Sequence, residues 1–172
     1  MCSLCVPQKL DRVMKMFAPR SVLDVGCGTG QSLDYFLEHG VDALGIEGSA
    51  LARSHAKRPE RIVPHDLNRT VNLGRKFDLV WCFEVAEHIH PTYVHAFMET
   101  VTYHSDRVVL SAAPPGQGGA GHLNEQPPEW WIAQFALRGF KLDNEATAQL
   151  QAVVELHSNN VLVFFRQESQ AS

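Results

Sequence analysis

The chain has 172 residues, a net charge of −4, 45% hydrophobic residues and 20% charged residues. This suits one globular domain that buries roughly two-thirds of its unfolded surface. No apolar run approaches the ~20 residues of a membrane span, there is no signal-peptide core, and no basic cluster exceeds two residues, so membrane insertion and electrostatic capture of nucleic acid are not expected and a cytoplasmic setting follows by default.

In chain order, residues 1–20 are expected to form an N-terminal helical segment. Its Cys2-x-x-Cys5 has the spacing of half a zinc site, but no second pair follows, so it reads as incidental. Ser21-Val-Leu-Asp-Val25 is a short strand ending in glycines. Ser32–His39 places Leu33, Phe36 and Leu37 on one helical face, and Gly40 can end it. Val41–Ile46 is a second strand. Ser49 can N-cap a helix over Ala50–Lys57, and Arg61–Pro64 is a brief third strand. Phe77–Cys82 is a fourth strand, after which Pro91 opens a helix with Val94, Phe97, Met98 and Val101 on one face. Asp106–Ala112 holds a fifth strand around Val108-Val-Leu110. Residues 114–128, rich in Gly and Pro, must be a loop. Glu129–Arg138 is a helix, Phe140–Asp143 a strand, Glu145–Leu156 a helix and Val161–Phe165 the last strand. Cys27 and Cys82 lie in apolar segments and read as small buried hydrophobes.

Alternation of this kind implies a largely parallel sheet covered on both faces, one α/β domain over 21–166, with a polar, disordered tail at 167–172.

The strongest local signal is Val22-Leu-Asp-Val-Gly-Cys-Gly-Thr-Gly30. Glycine lets the backbone turn sharply and approach a ligand without a Cβ in the way. The helix that follows offers free N–H groups to an anion. A dinucleotide fingerprint needs G-x-G-x-x-G, whereas Gln31 fills the place of the third glycine here. Glu47 ends the second strand, where a carboxylate can accept from both hydroxyls of a ribose. Asp66 ends the third.

The run from Val22 to Gly30 resembles motif I of class I S-adenosylmethionine (SAM)-dependent methyltransferases, and the resemblance extends to about Val94. It implies a Rossmann-like, doubly wound, seven-stranded sheet with the last strand antiparallel. It implies that Asp24 and the backbone of Gly26, Cys27, Gly28 and Gly30 hold the amino-acid end of SAM. It also implies that Glu47 holds the ribose, that Asp66 and the Leu67 N–H hold the adenine, that Gly48 and Phe83 line the cofactor site, and that the region Phe83–His90 faces the acceptor. Phe77–His88 is similar to the fourth-strand region of small-molecule methyltransferases. The Asn/Asp-Pro-Pro-aromatic motif of amino-methylating DNA enzymes is absent there.

Glu84, Glu87 and His88 are spaced i, i+3, i+4, and on a helix they would share one face. Such a set could hold Mg²⁺ or Mn²⁺, and His122 could join it as a later histidine does in small-RNA 2′-O-methyltransferases. The bland alternative is that these residues cap a helix or line the pocket. The loop with Gly121-His122-Leu-Asn124 and Trp130-Trp131 is expected to close over the acceptor. His122 is the foremost candidate base, with His88 beside it. The tryptophans are expected to anchor their helix, as large aromatics usually do. The function implied is methyl transfer to a small-molecule acceptor, foremost a hydroxyl oxygen, with nitrogen or carboxylate acceptors also open. A metal-assisted RNA 2′-O-methyltransferase, a non-catalytic SAM-binding module and, third, an NAD oxidoreductase are the alternatives.

Overall fold

The computed structural model describes residues 6–155 and 157–167. The Cys2/Cys5 pair and nearly all of the polar tail lie outside them. The elements are α1 (Pro7–Phe17), β1 (Ser21–Val25), α2 (Gln31–Glu38), β2 (Asp42–Glu47), α3 (Ala50–Ser54), β3 (Ile62–Pro64), β4 (Leu79–Phe83), α4 (Val94–Tyr103), β5 (Arg107–Ser111), α5 (Pro128–Ala136), β6 (Phe140–Leu142), α6 (Asn144–Gln151) and β7 (Val161–Arg166). The helix expected over 50–57 is only five residues long. Ser49 still caps it, its hydroxyl accepting from the Ala52 N–H at 3.1 Å. The expected helical start at Pro91 is a 3₁₀ turn, Pro91–Tyr93, that feeds α4.

The sheet runs β3-β2-β1-β4-β5-β7-β6. The first five strands pair in parallel, and β7 is antiparallel to both neighbours. Parallel strands need covering on both faces, which the sequence supplies as unbroken apolar runs. In β4, Val80 and Cys82 face one core with Phe97, Trp131 and Phe135, while Leu79 and Trp81 face the other with Leu10, Leu33 and Phe36. The first core holds a stacked pair, Phe135 on Phe164, with centroids 3.8 Å apart.

Strand order reverses between β1 and β4, leaving a crevice at their carboxyl ends. Ligands of open α/β sheets bind at such a switch point.

A buried histidine ties α4 to the chain ahead of β4. His104 Nδ1 lies 2.7 Å from the Thr100 carbonyl, and Nε2 accepts from the Leu73 N–H at 3.0 Å. The ring is therefore the neutral Nδ1–H tautomer, and burial lowers its pKa. A lowered folded-state pKa means that the unfolded chain takes up the proton first as pH falls through about 6.5. Burial of Asp24 and Glu87 acts in the opposite sense over the same range, so the His104 contribution is read as a difference: between pH 7 and pH 5.5 the native protein is expected to lose stability relative to a His104→Gln variant in denaturant unfolding, the variant being the less stable of the two at pH 7.

Candidate active site

Each strand entering the crevice delivers its chemistry in the loop just beyond its end. Gly26 and Gly28 follow β1, Glu47–Ser49 close β2, Asp66–Asn68 follow β3, Phe83 ends β4, and Glu84, Val85, His88 and Ile89 follow it. Together they line a cleft of about 370 Å³. A larger, shallower groove of about 670 Å³ runs over the exposed sides of α4 and α5, and none of the expected site residues lines it.

The turn after β1 works through positive φ. Gly26, Gly28 and Gly30 have φ of 74°, 56° and 82°. The Gly26 and Cys27 N–H groups both donate to the Ile46 carbonyl, at 2.9 and 3.0 Å, which staples the turn to β2. Glu47 grips it from the other side. Its Oε2 accepts from Gly28 N–H at 2.9 Å and its Oε1 from Ser49 N–H at 2.6 Å. Arg53 Nη1 in turn donates to the carbonyls of Glu47 and Gly48.

Two of the expected cofactor contacts do not line the cleft. Cys27 is buried, with its side chain turned into the core against Gly45. Gly30 is the left-handed N-cap of α2, adjoining Ile62 and Leu33 rather than the cleft. Asp24 sits beneath the turn, 3% exposed, with Oδ2 lacking a hydrogen-bond partner. Burial pushes its pKa up to about 8. Asp66 lines the cleft and also makes a local turn, accepting from Asn68 N–H at 3.0 Å.

The Glu84/Glu87/His88 set is not on one helical face. After β4 the backbone turns at Glu84 with φ 53°, and only a 3₁₀ turn, Ala86–His88, follows. Glu84 lines the cleft and lies near enough for its charge to act on Glu87, but its carboxylate is engaged by other partners. Its carboxylate accepts from the Ser111 hydroxyl, from Asn160 Nδ2 at 3.1 Å and from Gln117 Nε2 at 3.4 Å. What gathers instead is Glu87, His88 and His122, with one ligand atom from each within 4.8 Å of the others. Glu87 is fully buried with both carboxylate oxygens unpartnered, and burial and then the Glu84 charge raise its pKa.

The glycine-proline loop builds the far wall of this cluster. Glu87 carbonyl accepts from the N–H groups of Leu123 and Asn124 at 2.8 and 3.0 Å. His88 Nδ1 lies 2.9 Å from the Gly121 carbonyl and His122 Nδ1 lies 2.8 Å from Glu125 Oε1. The two imidazoles meet edge to face with centroids 5.0 Å apart. Glu125, Gln117 and Asn160 carry no signal of their own in the sequence, since nothing in a Gly/Pro-rich stretch marks which carboxylate it folds around. Trp131 is buried edge-on to Phe97 and Trp130 packs on it, the anchoring role expected.

Residues 5–145 match the family model described as "Methyltransferase domain". Among curated proteins, the ubiquinone biosynthesis O-methyltransferase of Coxiella burnetii is 29% identical over 77 residues, covering 41% of this chain and 33% of that protein. The dTDP-3-amino-3,6-dideoxy-alpha-D-glucopyranose N,N-dimethyltransferase of Streptomyces fradiae is 38% identical over 64 residues, 36% of this chain and 25% of that protein. The matched stretch thus spans about a third or less of these relatives' lengths. The SAM-bound amino pentose methyltransferase CalS10 of Micromonospora echinaspora superposes with a TM-score of 0.74 at 20% identity, covering 93% of this chain and 89% of that one. No helix among the described residues is long and apolar enough to cross a membrane. With its strand order, its glycine turn and its matched residues 5–145, the chain belongs to the methyltransferase-domain family and has the Rossmann-like fold of class I SAM-dependent methyltransferases.

Proposed function

We propose that the protein transfers the methyl group of SAM to a hydroxyl oxygen of a small-molecule acceptor. The observation that carries this reading is the cleft at the switch point, which runs from Gly26, Gly28, Glu47 and Asp66 to His88, where His122 stands opposite. In this reading Glu47 accepts from the ribose hydroxyls, Asp66 and Leu67 hold the adenine, and Asp24 lies under the amino-acid tail. The tail's ammonium would restore the charge that burial suppresses on Asp24.

Methyl transfer is an in-line displacement at the sulfonium, so much of the catalysis is alignment of donor and acceptor. The acceptor oxygen forms its bond to the methyl carbon as the carbon–sulfur bond breaks, leaving S-adenosylhomocysteine. The hydroxyl proton must leave, and in this reading His122 or His88 receives it. Both rings have Nδ1 engaged, which leaves Nε2 as the free nitrogen. The relatives named above methylate oxygen in one case and nitrogen in the other by their names, so the preference for oxygen rests on this basic cluster.

The buried, unpartnered Glu87 carboxylate favours a second form of the same reading, in which Glu87, His88 and His122 hold a divalent ion. Two imidazoles and one carboxylate suit Mn²⁺ better than Mg²⁺, which prefers oxygen ligands. When bound, such an ion lowers the pKa of the acceptor hydroxyl and orients it. Calorimetry with Mn²⁺ and Mg²⁺ tests this: saturable Mn²⁺ binding lost in Glu87→Gln supports it, and no binding with or without SAM removes it.

The reading itself is tested by turnover on a panel of hydroxylated and aminated acceptors. His122→Ala is expected to lower turnover of a hydroxyl acceptor by about 10²-fold or more, the usual contribution of a general base, with SAM affinity changed less than about threefold. Tight cofactor binding without turnover on any acceptor would make the chain a binding module. Unchanged turnover in His122→Ala would remove His122 from the mechanism.

A further inference from the structure

A histidine serves as base or ligand through one nitrogen only if the other is tied down, because the two ring nitrogens exchange roles when neither is fixed. His122 sits on an irregular loop, where no helix or strand fixes a side chain. Its neighbour Glu125 supplies the constraint. Glu125 Oε1 accepts from the Gly118 N–H at 2.7 Å and faces His122 Nδ1 at 2.8 Å, while Oε2 accepts from the Gly116 N–H at 2.8 Å. The same carboxylate therefore draws in the loop's first turn and holds the ring. Both side chains are largely shielded, at 12% exposure for His122 and 19% for Glu125.

Gly119 completes the seat. A Cβ built at 119 would lie 2.4 Å from His122 Nε2 and 2.7 Å from each ring carbon flanking it. Those carbons are almost as near as Nε2 itself, so the contact is with the face of the ring. The glycine lets the loop lie flat on the imidazole and keeps the Nε2 edge open. His88 is set up in parallel, its Nδ1 against the Gly121 carbonyl.

We propose that Glu125 is the positioning residue of the acceptor side: it holds His122 as the Nδ1–H tautomer with Nε2 unprotonated and facing the cluster with His88 and Glu87. The proposal rests on the reading of His122 as an acceptor-side base or ligand. Glu125 touches neither the cofactor cleft nor the reacting atoms, and acts only through the ring and the loop.

The test reads the ring directly and needs no acceptor. Long-range ¹H–¹⁵N NMR spectra of the full chain labelled at histidine report which ring nitrogen carries the proton at pH 8. The native protein is expected to show His122 as Nδ1–H, against the Nε2–H form that free imidazole side chains favour. Glu125→Ala should move His122 to that solution preference. Glu125→Gln should keep Nδ1–H, since an amide oxygen can accept from both the ring and Gly118. Gly119→Ala should displace the ring and perturb its resonances. Calorimetry with S-adenosylhomocysteine on the same samples should show affinity within about threefold of native. An Nε2–H tautomer in the native protein overturns the proposal, and so does a Glu125→Ala spectrum that keeps Nδ1–H. If Glu125→Ala does not fold, the native and Glu125→Gln spectra decide. Failure of the native protein to bind S-adenosylhomocysteine would overturn the methyl-transfer reading instead, and leaves the tautomer result legible.

Discussion

Replacing Glu47 with alanine is expected to weaken S-adenosylhomocysteine binding by at least about 100-fold. In the reading above its carboxylate accepts from two ribose hydroxyls, and it already accepts from the N–H groups of Gly28 and Ser49. Hydrogen bonds to a charged group contribute about 1.5–3 kcal/mol each. Two lost ribose bonds therefore come to about 3–6 kcal/mol, and each 1.4 kcal/mol is tenfold in affinity. The variant also leaves two loop amides without their acceptor, which loosens the turn that receives the methionine tail. Glu47→Gln keeps one oxygen and should lose only about tenfold. Calorimetric titration of the three proteins checks the series, and an alanine variant within threefold of native would contradict the ribose assignment.

The second large effect lies at Gly26. A Cβ there would stand 2.6 and 2.7 Å from the two γ-methyls of Val85, on a backbone with φ of 74°. Left-handed backbone strain costs an L-residue about 1–2 kcal/mol. Crowding adds to it, because Val85 is β-branched and has few rotamers to retreat to. Gly26→Ala is expected to lose about 3 kcal/mol or more of folding stability and most of its cofactor affinity. Gly40 makes the control: its φ is 78°, yet a Cβ there meets nothing within 4 Å. Gly40→Ala should therefore show the strain alone, about 1–2 kcal/mol. The double variant Gly26→Ala, Val85→Ala should recover part of the loss. Equal destabilisation at positions 26 and 40 would show that crowding against Val85 is unimportant.

These two residues are legible in the sequence, and the reason is local. A strand, a glycine turn and a helix are consecutive in sequence, so Asp24, Gly26 and Gly28 announce their geometry, and Glu47 declares itself by ending the next strand. The apolar runs that became β4, β5 and β7 were equally plain, because strands covered on both faces need unbroken hydrophobic stretches. The acceptor side was read less well. The i, i+3, i+4 spacing of Glu84, Glu87 and His88 predicts a shared face only on a helix, and the left-handed backbone at Glu84 prevents one. His122, which the sequence already offered as a further member of the set, does stand with Glu87 and His88, more than thirty positions away in sequence and brought in by backbone bonds from Leu123 and Asn124 to the Glu87 carbonyl, whereas Glu84 is not in that group. That Cys27 faces the core and not the cleft is not legible in the motif, because spacing gives the path of the backbone and not which way each side chain turns. Glu125 was missed because its three donors converge only after the loop has closed on itself.

Titration of the native protein with S-adenosylhomocysteine, SAM and NAD in one calorimeter tests the account most directly. Saturable one-to-one binding of the two sulfur nucleosides, with no heat from NAD at the same concentrations, is the expected result. Binding of NAD with none of either sulfur nucleoside would contradict it.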